Sequence, residues 1–569
     1  MYTDKSKRRS FLKKLGLAGI GLGSGLYNTL LASDGEGSPT ELLENGGNAQ
    51  SKKTIINILQ TTDVHCQVLP HDELFWENNQ AVFRQCGSYA QLATLFKQER
   101  KRYSNTFIVD TGDMFQGSEL SVKTTGKALV PILNALKYDL FLPGNWEVVY
   151  YKEAMQDLMG SLNAPKVCAN MYHDLGDGRR GELIFQPYYI WHVAGIKIGF
   201  LGYTDPLVPK RQSPAYSRGI MYTDPEENLA HYVRVLREQE KCAYIIILAH
   251  LGLSQQIHLA NQPACEGVNI IFGGDTHERV RKPIICKYSK VVEPGAFGSF
   301  VGRLQLIVEN GQIVDEIYKL EEVYTHKIKA DREVQRIIDE SERPFLDDLK
   351  NIIGYSTLPL YRYFVIENTI DTMILDAMRW KMPDTDIVLS NGFRFCPPRV
   401  QRDHTGHVPI TSAYLYDMLP VDSVVRTGTV TGWQLQNWIE KELHNVFADR
   451  AKERFGGWVV KFDGMKVRFR AFAPFGSRVE ELTVGGKPID PEKTYSIAAC
   501  EREGDPQDVL CRLSGVRNPR NLDFTLHQMI REYLKANSPV TPTPKGNAIA
   551  LDAPAELLTQ VHGVDYQFT

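Results

Sequence analysis

The sequence predicts an α/β protein built from two large domains, on three observations. At 569 residues the chain is too long for one hydrophobic core. From Thr54 onward short apolar runs alternate with amphipathic stretches, and a highly charged stretch around residue 340 separates two such regions. With 43% apolar and 23% charged residues the composition is that of an ordinary globular chain, which excludes wholesale disorder, collagen and coiled coil.

The N-terminus reads as a separate object. Lys5, Lys7, Arg8, Arg9, Lys13 and Lys14 stand against Asp4, so the first 32 residues carry +5 and the rest −8 of a net −3. A basic region followed by a mild, Gly-rich apolar stretch with small residues near Ala32 has the anatomy of a secretory signal. Arg8-Arg9-Ser10-Phe11-Leu12-Lys13 resembles the twin-arginine export signal. That stretch holds too many glycines for a membrane span, and no later segment offers about 18 uninterrupted apolar residues. The expectation is a signal over 1–32, a periplasmic or otherwise exported location, and no stable membrane span once the signal is removed. Residues 33–53 are polar and Gly-rich and read as a flexible linker. The small net charge leaves no basic surplus to neutralise a run of phosphates, which argues against a nucleic-acid polymer as partner.

The runs INIL, TFIVD, YDLFLPG, IKIGFLG, AYIIILAH and VNIIFGG predict strands buried on both faces. Stretches such as SYAQLATLFKQERKRY and DPEENLAHYVRVLREQEK predict the helices between them, and together these elements define a domain over 54–325. KIKADREVQRIIDESERPFLDDLKNIIG predicts a linking helix over 326–355, with Gly354 in a stopping position. IDTMILDAMRWKM, TDIVLSNGF, VTGWQLQNWIEKELHNVF and KTYSIAAC predict a second α/β domain over 356–569, with VGGKPIDPEKTY as a turn. Nine cysteines without a CxxC pair exclude a zinc ribbon and a thioredoxin motif, and predict buried thiols with one incidental disulfide.

The chemistry lies at strand ends. Asp63, His65, Asp113, Asn145, His250, Asp275 and His277 each follow an apolar run within a few residues. In an open α/β sheet the loops beyond the carboxyl ends of strands converge on one crevice, so residues far apart in sequence are expected to meet there. Carboxylate and imidazole donors suit Mn, Fe, Zn or Mg. A single DxH is an ordinary turn or helix cap, but five such strand ends in one domain point to metal.

In chain order, Asp63-Val64-His65, Gly112-Asp113, Gly144-Asn145-Trp146-Glu147, Ala249-His250 and Gly274-Asp275-Thr276-His277 resemble the DxH, GD, GNH[DE], His and GHxH signature of calcineurin-like metallophosphoesterases fused to a 5'-nucleotidase C-terminal domain. The resemblance spans residues 54–569 and implies a four-layer α/β/β/α catalytic domain followed by an α/β substrate domain. It further implies that Asp63, His65 and His277 hold one divalent metal ion, that Asn145, His250 and Asp275 hold a second, and that Asp113 bridges them. Manganese is expected first, with zinc, iron or magnesium as alternatives. Such a pair sits about 3.5–4 Å apart and acidifies a shared water toward a pKa of about 7, so that a metal-bridged hydroxide attacks a phosphate- or sulfate-type ester.

Departures from the signature refine the expectation. Trp146 stands where the family places a histidine that protonates the leaving group, and an indole cannot transfer a proton. Val149 stands where nucleotidases place the aspartate that orients this histidine, and Asp275 replaces the first histidine of GHxH, adding a negative charge. GNWE resembles the GHWE of SoxB-type thiosulfohydrolases, which remove sulfate from a cysteine-linked thiosulfonate on a carrier protein. Asp63-Val64-His65-Cys66-Gln67, Leu389-Ser390-Asn391-Gly392-Phe393-Arg394 and Gly456-Gly457 resemble further stretches of theirs. Asn145 in place of their histidine, and the lack of their long insertion after DxHAQ, set this chain apart. After SIAAC, the run Glu501 to Pro506 brings charge where nucleotidases carry a base-stacking ring. Arg394 is expected to bind phosphate or sulfate oxygens through its paired N–H groups, with Phe393, Phe395 and Phe455 as candidate pocket lining. The expected protein is an exported dinuclear-metal hydrolase, SoxB-like first, with Asp113, Arg394 and Trp146 at its catalytic centre and a small anionic substrate or a thiosulfonate-bearing carrier protein as partner. The alternatives are a periplasmic 5'-nucleotidase or other phosphoesterase, and a non-catalytic metal-binding scaffold.

Overall fold

In the structure, a computed structural model that describes residues 53–391, 395–402, 406–558, 561, 564 and 566, the apolar runs of the first domain form two sheets. The first has the order Gln312–Glu322, Phe300–Glu309, Thr54–Thr61, Asn105–Asp110, Leu140–Phe141. The second has the order Ile284–Ile285, Lys290–Val292, Ile270–Gly274, Tyr244–His250, Ile196–Thr204, Tyr188–Val193, and its four inner strands are parallel. The twin-arginine segment and the linker up to residue 52 lie outside the described residues, as do Gly392, Phe393 and Arg394.

Side chains alternate across a strand, and this period sorts each buried strand between two cores. Ile246 and Leu248 face the first sheet, while Ile245 and Ile247 face the helices Leu229–Arg234 and Leu253–Ala260. Phe107 of the first sheet stacks on Phe200 of the second with ring centroids 4.9 Å apart. On the far side of the first sheet, the helix Tyr89–Arg102, capped by the Ser88 hydroxyl, packs on Asn105–Asp110 and on Leu129–Leu136. Helix, sheet, sheet and helix give the α/β/β/α layering.

The linking region departs from a single helix. Asp331 caps Arg332–Glu342, the chain tightens through Arg343–Phe345, where Pro344 has no N–H to donate, and resumes as Leu346–Lys350. Gly354 stops no helix. It lies inside the strand Ile352–Ser356, paired with Val408–Thr411, and a Cβ there would stand 2.8 Å from Leu534 Cβ, so the glycine serves close packing on the helix Leu526–Asn537.

The second domain is built on a mixed sheet of order Lys461–Asp463, Ile387–Ser390, Thr494–Cys500, Val424–Thr431, Arg517–Thr525. Thr369–Lys381 and Leu526–Asn537 cover one face and Gly432–Phe447 the other. Thr431 with Gln434, and Thr525 with Gln528, form capping boxes that satisfy the first N–H groups of two of these helices. All nine cysteines are free thiols and six are buried, so the expected disulfide does not form. Among the described residues no helix is long and apolar enough to cross a membrane.

Candidate metal centre

The parallel strands end at the same edge, which delivers the ligand-type residues to one place. Asp63 lies two residues past Thr61, Asp113 three past Asp110, Asn145 four past Phe141, His250 closes its strand, and Asp275 and His277 follow Gly274. The two sheets are pinned together just behind this edge, where Gln60 Nε2 donates to Gly273 O at 2.7 Å and Thr111 Oγ1 to the same oxygen at 3.3 Å. The loops turn sharply. Asp63, His65, Asp113, Asp275 and His277 have φ of 50°, 49°, 62°, 89° and 61°, in the left-handed region that side chains avoid. Strain of this kind persists only where the surroundings over-determine it; here Asp63 N donates to Gly112 O at 2.9 Å and His65 N to Asp113 O at 3.0 Å. Gly112, with φ of 108°, meets Gly144 backbone to backbone: a Cβ would fall 2.5 Å from Gly144 Cα and 2.9 Å from His250 Nδ1.

The result brings all seven residues together. Donor atoms of Asp63, His65 and His277 lie within 4.8 Å of one another, as do those of Asp63, Asp113 and His250, and all are buried. His65 Nε2 is 3.1 Å from His277 Nε2, and His277 Nε2 is 3.3 Å from Asp63 Oδ1. Asp113 Oδ2 stands between the two halves, 3.7 Å from His65 Nε2 and 3.3 Å from His250 Nε2. Asp275 Oδ1 is 3.8 Å from His250 Nε2 and accepts from the Asn145 amide. Outer partners fix the rings: Thr111 O, 2.7 Å from His250 Nδ1, and Gln116 O, 3.0 Å from His65 Nδ1, leave each Nε2 to the cluster. Trp146 N donates to Asp113 Oδ1 at 2.8 Å. Glu147 accepts from the backbone of Gly144 at 2.6 Å, Met114 at 2.7 Å and Asp113 at 3.2 Å, and burial, with the Asp113 charge beside it, pushes its carboxyl up to about 8.

The cluster does not satisfy itself. Asp63 Oδ1 and His250 Nε2 are buried without a hydrogen-bond partner. Two imidazole Nε2 atoms face each other at 3.1 Å, a distance that one shared proton or a cation between the two rings satisfies. Burial works against the Asp63 carboxylate, yet His250 and His277 outweigh it and hold its pKa below the usual range. Burial likewise works against a charged His250, and Asp113 and Asp63 outweigh it and raise it well above the ordinary histidine value. A field that holds a proton so firmly also holds a cation. The donor set of carboxylate oxygens and imidazole nitrogens fits a divalent metal ion. Gln212 Nε2 donates to Asn145 Oδ1 at 2.9 Å while Gln212 Oε1 has no partner. Turning both amides over would give Gln212 Oε1 a donor and set the Asn145 carbonyl against Asp275 Oδ1, an arrangement that loses the hydrogen bond between them and calls for a cation between the two oxygens.

A cavity of ≈ 330 Å³ opens from the cluster between the two domains. Trp146 lines it beside Asp113, facing Phe395, Phe455 and the run Cys500 to Glu503 of the second domain. Phe395 packs against His277 and Trp458, with centroids 4.2 and 4.7 Å away. Glu501 is occupied by Arg426 and Asn521, and Val149 is buried in the core. Arg394 lies outside the described residues. Sequence reading missed Asp205, Arg211 and Gln212: Arg211 Nη1 lies 3.1 Å from Asp205 Oδ2 and 2.9 Å from Asp275 Oδ2. The signal for Asp205 was present, because it directly follows the strand Ile196–Thr204 as the ligand-type residues follow theirs.

Residues 56–279 match the calcineurin-like phosphoesterase family, and residues 352–501 match the 5'-nucleotidase C-terminal domain. The chain is similar to the trifunctional nucleotide phosphoesterase protein YfkN of Bacillus subtilis, 24% identical over 80% of this chain, and spans 33% of that longer protein. It is similar to the 5'-nucleotidase of Vibrio cholerae, 23% identical over 85% of this chain and 91% of that one. Among solved structures, the sulfate thiohydrolase SoxB of Thermus thermophilus shares the fold, with a TM-score of 0.78 at 21% identity over 88% of this chain and 98% of that one. With a buried donor cluster at the strand ends of the first domain and the second domain closing over it, the chain belongs to the family of metal-dependent hydrolases that join a calcineurin-like phosphoesterase to a 5'-nucleotidase C-terminal domain.

Proposed function

We propose that this hydrolase acts, after export, on a sulfate-type ester, a cysteine-linked thiosulfonate on a carrier protein first, with two divalent cations, manganese first. Asp63, His65 and His277 hold one cation, Asn145, His250 and Asp275 the other, and Asp113 bridges them. When bound, the cations supply Lewis acidity toward the substrate oxygens and lower the pKa of a coordinated water. The chain's own residues orient and exclude. Thr111 O and Gln116 O set which nitrogen His250 and His65 present, Trp146 fills the space beside Asp113, and Arg394 pairs with the oxyanion.

One observation carries the choice of ester. Among the described residues lining the cavity the only imidazoles are His65 and His277, both turned to the cluster, and Trp146 lines it at the position where the motif it resembles has the proton-donating histidine. A leaving group that departs as a stable anion, such as a persulfide, needs no proton donor. Hydrolysis then consumes one water, breaks the sulfur–sulfur bond to the sulfonate, and releases sulfate. The second reading, a 5'-nucleotidase or other phosphoesterase, is favoured by the names of the relatives and by the aromatic ring of Phe455 in the cavity lining.

A screen of the manganese-reconstituted protein on AMP, a generic phosphodiester and a cysteine S-thiosulfonate separates them, and turnover confined to the thiosulfonate is expected. In the same screen Trp146→His is expected to lower thiosulfonate turnover without creating a nucleotidase, because the core residue Val149 leaves the new imidazole nothing to orient it. A gain in AMP turnover of about a hundredfold, the usual worth of a positioned acid, would move the protein to the second reading. For export, exchanging Arg8 and Arg9 for Lys conserves charge and is expected to leave the precursor unprocessed in the producing cell. Normal processing of that variant would point to another route.

A further inference from the structure

Asp275 is an anomaly for a centre that must admit an anion. It stands where the motif it resembles has a neutral histidine, and a further, half-buried carboxylate would add negative charge beside the substrate. Arg211 is placed to offset it. Its side chain is 9% exposed, and Nη1 reaches both Asp275 Oδ2 at 2.9 Å and Asp205 Oδ2 at 3.1 Å. The contact also divides Asp275: Oδ2 belongs to the guanidinium, and only Oδ1 turns to Asn145 and to His250 Nε2, 3.8 Å away. On the other side of the cluster Asp63 is likewise left with one oxygen, since Oδ2 accepts from Thr62 Oγ1 at 2.6 Å and Asp275 N at 3.0 Å, but Oδ1 faces only imidazoles and no guanidinium stands beside it among the described residues.

We infer that Arg211 is a positioning residue that makes the two cation sites unequal by placing a permanent positive charge beside the second cation, where it holds Asp275 Oδ2 away from the cluster. This rests on the reading of Asn145, His250 and Asp275 as that cation's ligands. The Asp63, His65 and His277 site fills first; the site beside Arg211 fills second and exchanges more readily. One guanidinium shared by Asp205 and Asp275 offsets one of the two carboxylate charges, which reduces the negative charge that Asp275 brings in place of the histidine. A unit charge a few ångströms from a divalent cation, even at the effective dielectric of a protein site, weakens binding by at least about tenfold.

Calorimetric titration of the metal-free full chain with Mn²⁺ alone tests the inference. The wild type is expected to take up two equivalents in steps separated by at least about tenfold. Arg211→Gln is expected to tighten the second step by about tenfold or more and leave the first within about threefold, whereas Arg211→Lys, which keeps the charge, retains the gap. Arg211→Met, which keeps the aliphatic stem beside Phe455, carries the same test if the glutamine variant does not fold. Two equivalents in the wild type, with a gap unchanged or widened in the neutral variants, would overturn the role of Arg211 alone. Fewer than two equivalents in the wild type would overturn the two-cation reading and the inference with it.

Discussion

Asp113→Ala is expected to empty the centre of both cations and to lower turnover by about a thousandfold or more, since the Lewis-acid contribution lost is worth several kcal/mol. Asp113 Oδ2 is the atom shared between the halves of the cluster, 3.7 Å from His65 Nε2 and 3.3 Å from His250 Nε2. Without that carboxylate, two like charges would face each other unshielded at short range. The fold should survive, because the residue lies in a loop beyond the strand Asn105–Asp110 and the backbone contact it surrenders is one N–H, that of Trp146. Metal analysis of the purified variant decides the matter: two full equivalents would remove Asp113 from the role of bridge. Asp113→Asn, which keeps an acceptor for Trp146 N, is the control for loss of charge without loss of shape.

The largest effect on stability is expected from Glu73→Ala. Glu73 is wholly buried and accepts from Arg279 Nη2 at 2.6 Å and from Tyr363 Oη at 2.7 Å. The Arg279 guanidinium is sandwiched among the rings of Phe300, Tyr363 and Phe75, at 4.7, 5.0 and 5.5 Å from their centroids. Removing the carboxylate takes the Glu73 counter-charge from a buried cation, a change that costs about 3–5 kcal/mol. Glu73 and Arg279 belong to the first domain and Tyr363 to the second, so the variant also weakens the seam over which the cavity opens. Tyr363→Phe removes only one hydrogen bond to a charged group and should cost less, about 1.5–3 kcal/mol. Urea unfolding followed by tryptophan fluorescence reads both; a midpoint for Glu73→Ala equal to that of the parent would show that the pair contributes nothing net.

Much of this architecture was legible before any coordinates. Runs such as AYIIILAH and VNIIFGG announce doubly buried strands through local composition, and they become Tyr244–His250 and Ile270–Gly274. Residue type and position nominated seven candidate ligands, because each alone reads as a turn or helix cap but five such strand ends in one domain exceed what turns and caps account for. Where local pattern misled, packing was responsible. Gly354 ends a charged helical stretch and reads as a stop, yet Leu534, nearly two hundred residues away, decides that the glycine sits in a strand. Nine scattered cysteines suggested one pairing, but burial of six of them in apolar cores holds them as thiols.

By itself, then, the sequence determined the alternation of strands and helices, the domain order, and the set of candidate cation ligands. These depend on neighbours a few positions away, and the period of a strand or helix exposes them. Only the tertiary structure decided how those residues are charged and oriented. Arg211 meets Asp275 across 64 positions, Gln212 meets Asn145 across 67, and Tyr363 meets Glu73 across 290. Such partners are selected by which surfaces pack together, and side-chain electrostatics in a buried site depend on distances of a few ångströms that no local pattern encodes.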